Sequence, residues 1–94
     1  MSNQEKKQVI FIMTDTTRAD MLGCYGNKEM KTPNLDALAR DGIRYENAYT
    51  CQPVCGPARS ALFTGLSPHN NGVTTNNLPL GQNVKTIGQY LQAT

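Results

Sequence analysis

The sequence predicts an α/β fold, and three segments support this prediction. Residues 9–13, Val-Ile-Phe-Ile-Met, form a continuous apolar run between polar neighbours. Such a run is typical of a strand that is buried on both faces of a parallel sheet. Residues 32–42 carry the start and stop signals of a helix. Residues 43–50 alternate well enough between apolar and polar side chains to predict a second strand.

The first predicted strand leads directly to Asp15. Ligands of open α/β sheets bind beyond the carboxyl ends of the strands, so a side chain at this position is well placed for function. A carboxylate there suits a hard divalent cation such as calcium or magnesium, because these ions prefer oxygen ligands. Taken alone, Asp15 is equally well explained as the cap of the turn that follows.

Local signals also predict two flanking helices. Thr32 and Pro33 provide a cap and a first-position proline, and Gly42 provides a stop. Residues 66–85 read as a long loop, after which Thr86 and Gln89 form a capping box for a last helix. The apolar stripe of the earlier helix comprises Leu35, Leu38 and Ala39, and that of the last helix comprises Ile87, Tyr90 and Leu91.

Residues 55–59, Cys-Gly-Pro-Ala-Arg, are the most informative stretch of the chain. Pro57 suits the first position of a helix, which would place Cys55 just before the helix, near unpaired N–H groups and the positive end of the helix dipole. This location favours a nucleophile that attacks an anionic ester. Arg59 would lie on the first turn with donors suited to a tetrahedral anion, and Gly65 would end the helix.

A structural interpretation competes with this one, with Cys55 as a buried packing residue and Arg59 in a surface ion pair. Cys51 also begins a Cys-x-Pro pattern, but Cys55 stands where an arginine would be needed. Only Cys55 therefore has proline at +2 and arginine at +4.

The C-x-P-x-R pattern at Cys55 resembles the maturation motif of the sulfatase family, in the alkaline-phosphatase-like superfamily. The resemblance runs from Val9 to Ala93, and the nearest subgroup is the bacterial sulfatases with Thr-Asp-Thr after the first strand. Besides the strand and the motif, the matching segments are residues 18–26, 32–39, 42–45, 47–49, 62–65 and 68–73.

This resemblance implies the fold and extent of the domain. Residues 9–94 would be the N-terminal part of an α/β/α sandwich with a mainly parallel central sheet, and residues 1–8 would be a polar leader. Sulfatases are several times longer than these 94 residues, and the remaining metal ligands and the acid for the leaving group lie downstream in the family. The 94-residue piece alone is therefore expected to be inactive.

The resemblance also implies roles for particular residues. Cys55 would be oxidised to Cα-formylglycine by a formylglycine-generating enzyme or a radical maturase, and the hydrated aldehyde would attack the ester sulfur. Arg59 would hydrogen-bond the hydrate. Asp15 and the converted Cys55 would bind the metal, calcium or alternatively magnesium or manganese. Many sulfatases have Asp-Asp where this chain has Asp15 and Thr16. The second metal ligand is therefore either lost or supplied by the Thr16 hydroxyl.

The composition limits the classes of partner that the chain is expected to bind. The 9 basic and 7 acidic residues give a formal charge of +2, which is too weak to predict nucleic-acid binding. No apolar run is long enough for a signal peptide or a membrane span, which predicts a cytoplasmic protein, or a periplasmic or secreted one if a signal was removed. The three cysteines do not suggest a disulfide framework. The expected substrate is a small-molecule or carbohydrate sulfate ester.

Three alternatives remain open from the sequence. A phosphonate or phosphate monoester hydrolase of the same superfamily can share the formylglycine motif. A small zinc-binding module could use Cys51, Cys55 and His69, although a second ligand pair is missing. A non-catalytic homologue could only bind sulfated ligands, and an unmodified thiol at Cys55 in protein from a host with the maturation machinery would favour this alternative.

Overall fold

The computed structural model describes residues 7–93, so the predicted polar leader at residues 1–8 lies almost entirely outside the described residues. The chain divides into two compact units, Met1–Arg44 and Tyr45–Thr94. The described part of the chain consists of helices joined by irregular segments.

The first unit contains two short 3₁₀ helices, Ala19–Met21 and Gly23–Tyr25, followed by helix α1, Pro33–Asp41. The bounds of α1 confirm the prediction, since Thr32 is the N-cap and Gly42 the C-cap. Proline at the first helical position fits because its φ is already helical and its missing N–H would have had no acceptor there.

Hydrogen bonds join the second 3₁₀ helix to the start of α1, with which it packs. The Gly23 N–H donates to Thr32 Oγ1 at 2.8 Å, and the Cys24 N–H donates to Asp36 Oδ1 at 2.7 Å. The Thr32 hydroxyl itself donates to Asp36 Oδ1 at 3.0 Å. A Cβ at position 23 would lie 2.5 Å from an Asp36 carboxylate oxygen, so this contact requires glycine.

The second unit contains α2, Cys55–Thr64, then α3, Pro68–Asn71, and α4, Ile87–Gln92. Helix α2 packs against both α3 and α4. Helix α2 ends as predicted at Gly65, whose φ of 70° is accessible to glycine at no steric cost. The interior of this unit is small, and its buried residues are Pro57, Pro68, Asn71 and Val73.

Two details of the second unit bear on the predictions for residues 66–92. The segment predicted as one long loop contains the short helix α3, which begins at Pro68 and is capped by Gly72. The predicted capping box of the last helix is confirmed: the Thr86 N–H donates to Gln89 Oε1 at 2.8 Å. This bond pairs an N–H group that the helix leaves without an internal acceptor.

The predicted strands at residues 9–13 and 43–50 are wrong for this structure, which contains no strand between residues 7 and 93. An apolar run favours burial, but a strand also requires a neighbouring strand to pair its N–H and C=O groups. Neither segment has such a ladder, and their apolar side chains are exposed, with Val9 89% and Ile43 82% accessible.

The three cysteines form no disulfide bond with one another. Over the described range there is also no helix with the length and apolarity that a membrane crossing requires.

Candidate active site

Cys55 is the first residue of helix α2 and is exposed. Val54 is the extended N-cap, and the first helical hydrogen bond runs from the Ala58 N–H to the Val54 carbonyl at 3.0 Å. The helix therefore begins two residues earlier than predicted, and Pro57 is its third residue. Proline is still tolerated there because the first-turn N–H groups have no acceptor within the helix.

The helix explains the spacing of the Cys-x-Pro-x-Arg pattern. Residues four apart in an α-helix lie on the same face, so Cys55 and Arg59 share one side of α2. Both residues are exposed. Pro57, two positions from each of them, faces a different direction and is fully buried. The motif thus combines one anchoring residue with two residues on an accessible face.

The buried side of α2 is held by a polar network around Asn71, which is only 4% exposed. The Asn71 amide donates to Ser60 Oγ and to the Leu66 carbonyl, each at 3.1 Å, and Asn71 Oδ1 accepts from the Val73 N–H at 2.9 Å. The Thr64 hydroxyl donates to the Ser60 carbonyl at 2.7 Å within the helix. The network fixes the orientation of the helix that carries Cys55.

A second asparagine binds the N-terminal end of α2. The Gly56 N–H donates to Asn76 Oδ1 at 2.8 Å. Asn76 therefore occupies one of the N–H groups that the sequence predicted to be available near Cys55. The sequence had shown Asn71 and Asn76 only as polar residues of a loop, and no local pattern distinguishes them from the other asparagines there.

Asp15 lies in an exposed turn of the first unit. The Thr16 hydroxyl donates to Asp15 Oδ2 at 3.0 Å, and the Thr17 hydroxyl donates to the Asp15 carbonyl at 3.2 Å. Thr16 adopts a φ of 51°, which is rare for a β-branched residue and indicates local strain. Strain of this kind is often found at functional sites.

The oxygen atoms of this turn fit a hard divalent cation, because a carboxylate and a hydroxyl group are the donors that calcium and magnesium accept. Across residues 7–93, however, no three His, Cys, Asp or Glu side chains form a group that could hold a metal ion. The structure thus does not assemble Cys51, Cys55 and His69 into a zinc site. It places Cys55 with Arg59 in the second unit and Asp15 with Thr16 in the first.

An open cavity of about 680 Å³ lies beside α1 in the first unit. Its lining includes Asp36 and the basic residues Lys31, Arg40 and Arg44. None of the residues predicted to be catalytic or metal-binding lines it, so its size does not identify the site.

Comparison with known proteins agrees with the motif. Residues 7–94 match the sulfatase family model. The chain is 47% identical over 88 residues to the sulfatase YidJ of Escherichia coli (strain K12) and 41% identical over 88 residues to an ulvan-active sulfatase of Formosa agariphila. It is 39% identical over 93 residues to PehA of Trinickia caryophylli, a multifunctional alkaline phosphatase superfamily protein.

Each of these matches covers 94% of the chain and 18% of the relative. The chain belongs to the sulfatase family, and it spans about a fifth of the length of these relatives. The family places it in the α/β class, although the described residues contain only the helical elements. No solved structure matches the chain significantly.

Proposed function

We propose that this chain carries the nucleophile of a sulfuric ester hydrolase. In this proposal residues 9–94 are the N-terminal part of a catalytic domain built as an alkaline-phosphatase-like α/β/α sandwich. The observation that carries the proposal is the position of Cys55, exposed at the first residue of α2 and on the same face as Arg59. Family membership supports the same conclusion.

The proposed nucleophile is formylglycine, made from Cys55 by a formylglycine-generating enzyme or a radical maturase. Its hydrate supplies an oxygen nucleophile for the ester sulfur. The positive end of the α2 dipole favours an anionic substrate at this helix start. Arg59, one turn further along, carries a permanent positive charge and planar donors that suit a sulfate oxygen or an oxygen of the hydrate.

The proposed cofactor is a divalent cation, calcium first and magnesium or manganese as alternatives. Asp15 and the residue at position 55 would bind it, with the Thr16 hydroxyl as a further oxygen donor. The metal, when bound, stabilises negative charge on the reacting oxygens. Asp15 offers the carboxylate, and the hydrogen bond from Thr16 restricts the rotation of that carboxylate.

The test uses the intact enzyme that contains this segment, co-expressed with a maturase, and compares Cys55→Ala with Cys51→Ala. We expect Cys55→Ala to lower turnover of an activated aryl sulfate by about a thousandfold or more, because the covalent nucleophile is removed. Cys51→Ala should retain most of the activity, since Cys51 is also exposed but lacks the motif. Near-full activity of Cys55→Ala would contradict the proposal.

A second candidate function is phosphate or phosphonate ester hydrolysis, which the similarity to the alkaline phosphatase superfamily protein PehA favours. The same preparation distinguishes the two candidates when aryl sulfate, aryl phosphate and aryl phosphonate esters with one leaving group are compared. A kcat/KM highest for the sulfate supports the sulfatase. A kcat/KM highest for a phosphorus ester that Cys55→Ala abolishes supports the second candidate.

A further inference from the structure

We infer that Asn76 is a positioning residue for the nucleophile at position 55. Its side chain binds the peptide that joins Cys55 to Gly56, and it thereby sets the direction in which the side chain of residue 55 leaves helix α2. The catalytic consequence of this role rests on the proposed function, whereas the contact itself does not.

The central observation is the hydrogen bond from the Gly56 N–H to Asn76 Oδ1 at 2.8 Å. This N–H belongs to the peptide plane that also contains the Cys55 carbonyl, and a peptide plane is rigid. An acceptor fixed on its N–H group therefore restricts rotation about the Cα–C bond of residue 55. Helices leave this N–H group without an internal acceptor, so Asn76 supplies a bond that α2 cannot make itself.

Gly56 shows that the approach of Asn76 is close. A Cβ at position 56 would lie 2.9 Å from Asn76 Oδ1, 3.5 Å from Asn76 Cα and 3.6 Å from the Thr75 carbonyl oxygen. A Cβ at position 56 would therefore require the Asn76 amide to shift, while its distances to the backbone of residues 75 and 76 are ordinary van der Waals contacts. The glycine between the cysteine and the proline of the motif leaves room for the Asn76 amide to approach the helix start.

The segment that carries Asn76 has its own constraints. Asn77 adopts a φ of 70°, a left-handed conformation that asparagine tolerates better than most residues. The Thr75 hydroxyl donates to the Asn76 carbonyl at 2.7 Å. These features give residues 75–77 a defined turn, and the turn presents the Asn76 side chain to the Gly56 N–H.

The amide group also suits the proposed chemistry. An aspartate would accept the same N–H bond and would favour the helix dipole, but its negative charge would repel an anionic ester. Asparagine supplies the acceptor without that charge. The two substitutions therefore have distinct expected effects: alanine removes the acceptor, whereas aspartate keeps it and adds a negative charge.

The experiment compares Asn76→Ala, Asn76→Asp and the matched control Asn70→Ala in the intact, matured enzyme, with rates normalised to aldehyde content. Asn70 is an exposed asparagine of α3 in the same unit. For Asn76→Ala we expect kcat for an aryl sulfate to fall about tenfold with KM within about twofold, because only orientation in the transition state is lost. For Asn76→Asp we expect KM to rise several-fold, and for Asn70→Ala no change.

Hydrogen exchange at the Gly56 amide provides a readout that does not depend on activity. We expect exchange to be about tenfold faster in Asn76→Ala than in the wild type and close to the wild-type rate in Asn76→Asp, which keeps the acceptor. Unchanged exchange in Asn76→Ala, or kinetics equal to those of Asn70→Ala, would overturn the inference. A wild-type enzyme that hydrolyses no ester would contradict the proposed function, while the exchange measurement would still test the Asn76 contact.

Discussion

The two regions predicted to carry chemistry differ in how they are held. Helix α2, which carries Cys55 and Arg59, is bound by Asn71 on its buried side and by Asn76 at its start. These contacts join residues 11 and 20 positions apart in the sequence. In the Asp15 turn, hydroxyl groups one and two positions further along the chain, those of Thr16 and Thr17, donate to Asp15. Helix α2 is therefore held by residues that lie far from it in the sequence, in addition to its own helical hydrogen bonds.

Burial shows the same difference. The residues on the inner side of α2 include the fully buried Pro57, and Asn71 is 4% exposed. The apolar run that precedes Asp15 is open, with exposed fractions from 41% at Met13 to 89% at Val9. Substitution of the exposed Asp15 side chain should therefore affect chemistry more than stability, and substitutions on the inner side of α2 should do the opposite.

The largest expected effect beyond loss of the nucleophile is that of Asp15→Asn in the intact enzyme. We expect about a hundredfold fall in kcat, because the substitution removes the negative charge of a proposed metal ligand. The melting temperature should change by only about 1–2 °C, since Asp15 is exposed and surface substitutions usually have small effects. Steady-state kinetics and thermal unfolding provide the two readouts.

Asp41→Asn is the matched control, because Asp41 is also exposed and pairs with Arg40 at 3.1 Å. It should leave kcat unchanged. Equal activity of the two variants would show that Asp15 only caps its turn and does not bind the metal.

Compared with Asp15→Asn, we expect Asn71→Ala to have a smaller effect on activity and a larger effect on stability. The substitution removes the acceptor of the buried Val73 N–H, and an unpaired buried polar group costs about 1–3 kcal/mol. Urea unfolding of the intact enzyme measures the loss, with the exposed Asn70→Ala as the control. A free energy of unfolding equal to that of the control would show that the network does not hold α2.

Helices α1, α2 and α4 were accessible to prediction because their signals are local. Thr32 with Pro33, Gly65, and the Thr86–Gln89 pair each mark a helix end within a few residues, and the structure has helices that begin or end at these positions. The start of α2 was predicted two residues late, because the third position of a helix tolerates proline as the first does. The two strands could not be predicted correctly, because pairing depends on a partner segment that an apolar run does not specify.

The residues of the candidate site also divide into those that a local pattern identified and those that only the packing revealed. Cys55 and Arg59 were identified from a five-residue pattern, and the helix explains why that spacing places them on one face. Asn71 and Asn76 were not identified, since asparagine is common in loops for reasons of turn geometry alone. Only the packing of residues 66–77 against α2 reveals which asparagines contact the helix. The roles of Asp15 and Thr16 in metal binding stay predictions.

The state of Cys55 in mature protein is the most direct test of the proposed chemistry. Peptide mass spectrometry, after co-expression of the intact enzyme with a maturase, should show a loss of about 18 Da at Cys55, the change from a thiol to the aldehyde whose hydrate is the nucleophile. Cys51, four residues earlier and without the Pro and Arg spacing, should keep its thiol mass and serves as the internal control. An unmodified Cys55, or conversion at Cys51, would contradict the account.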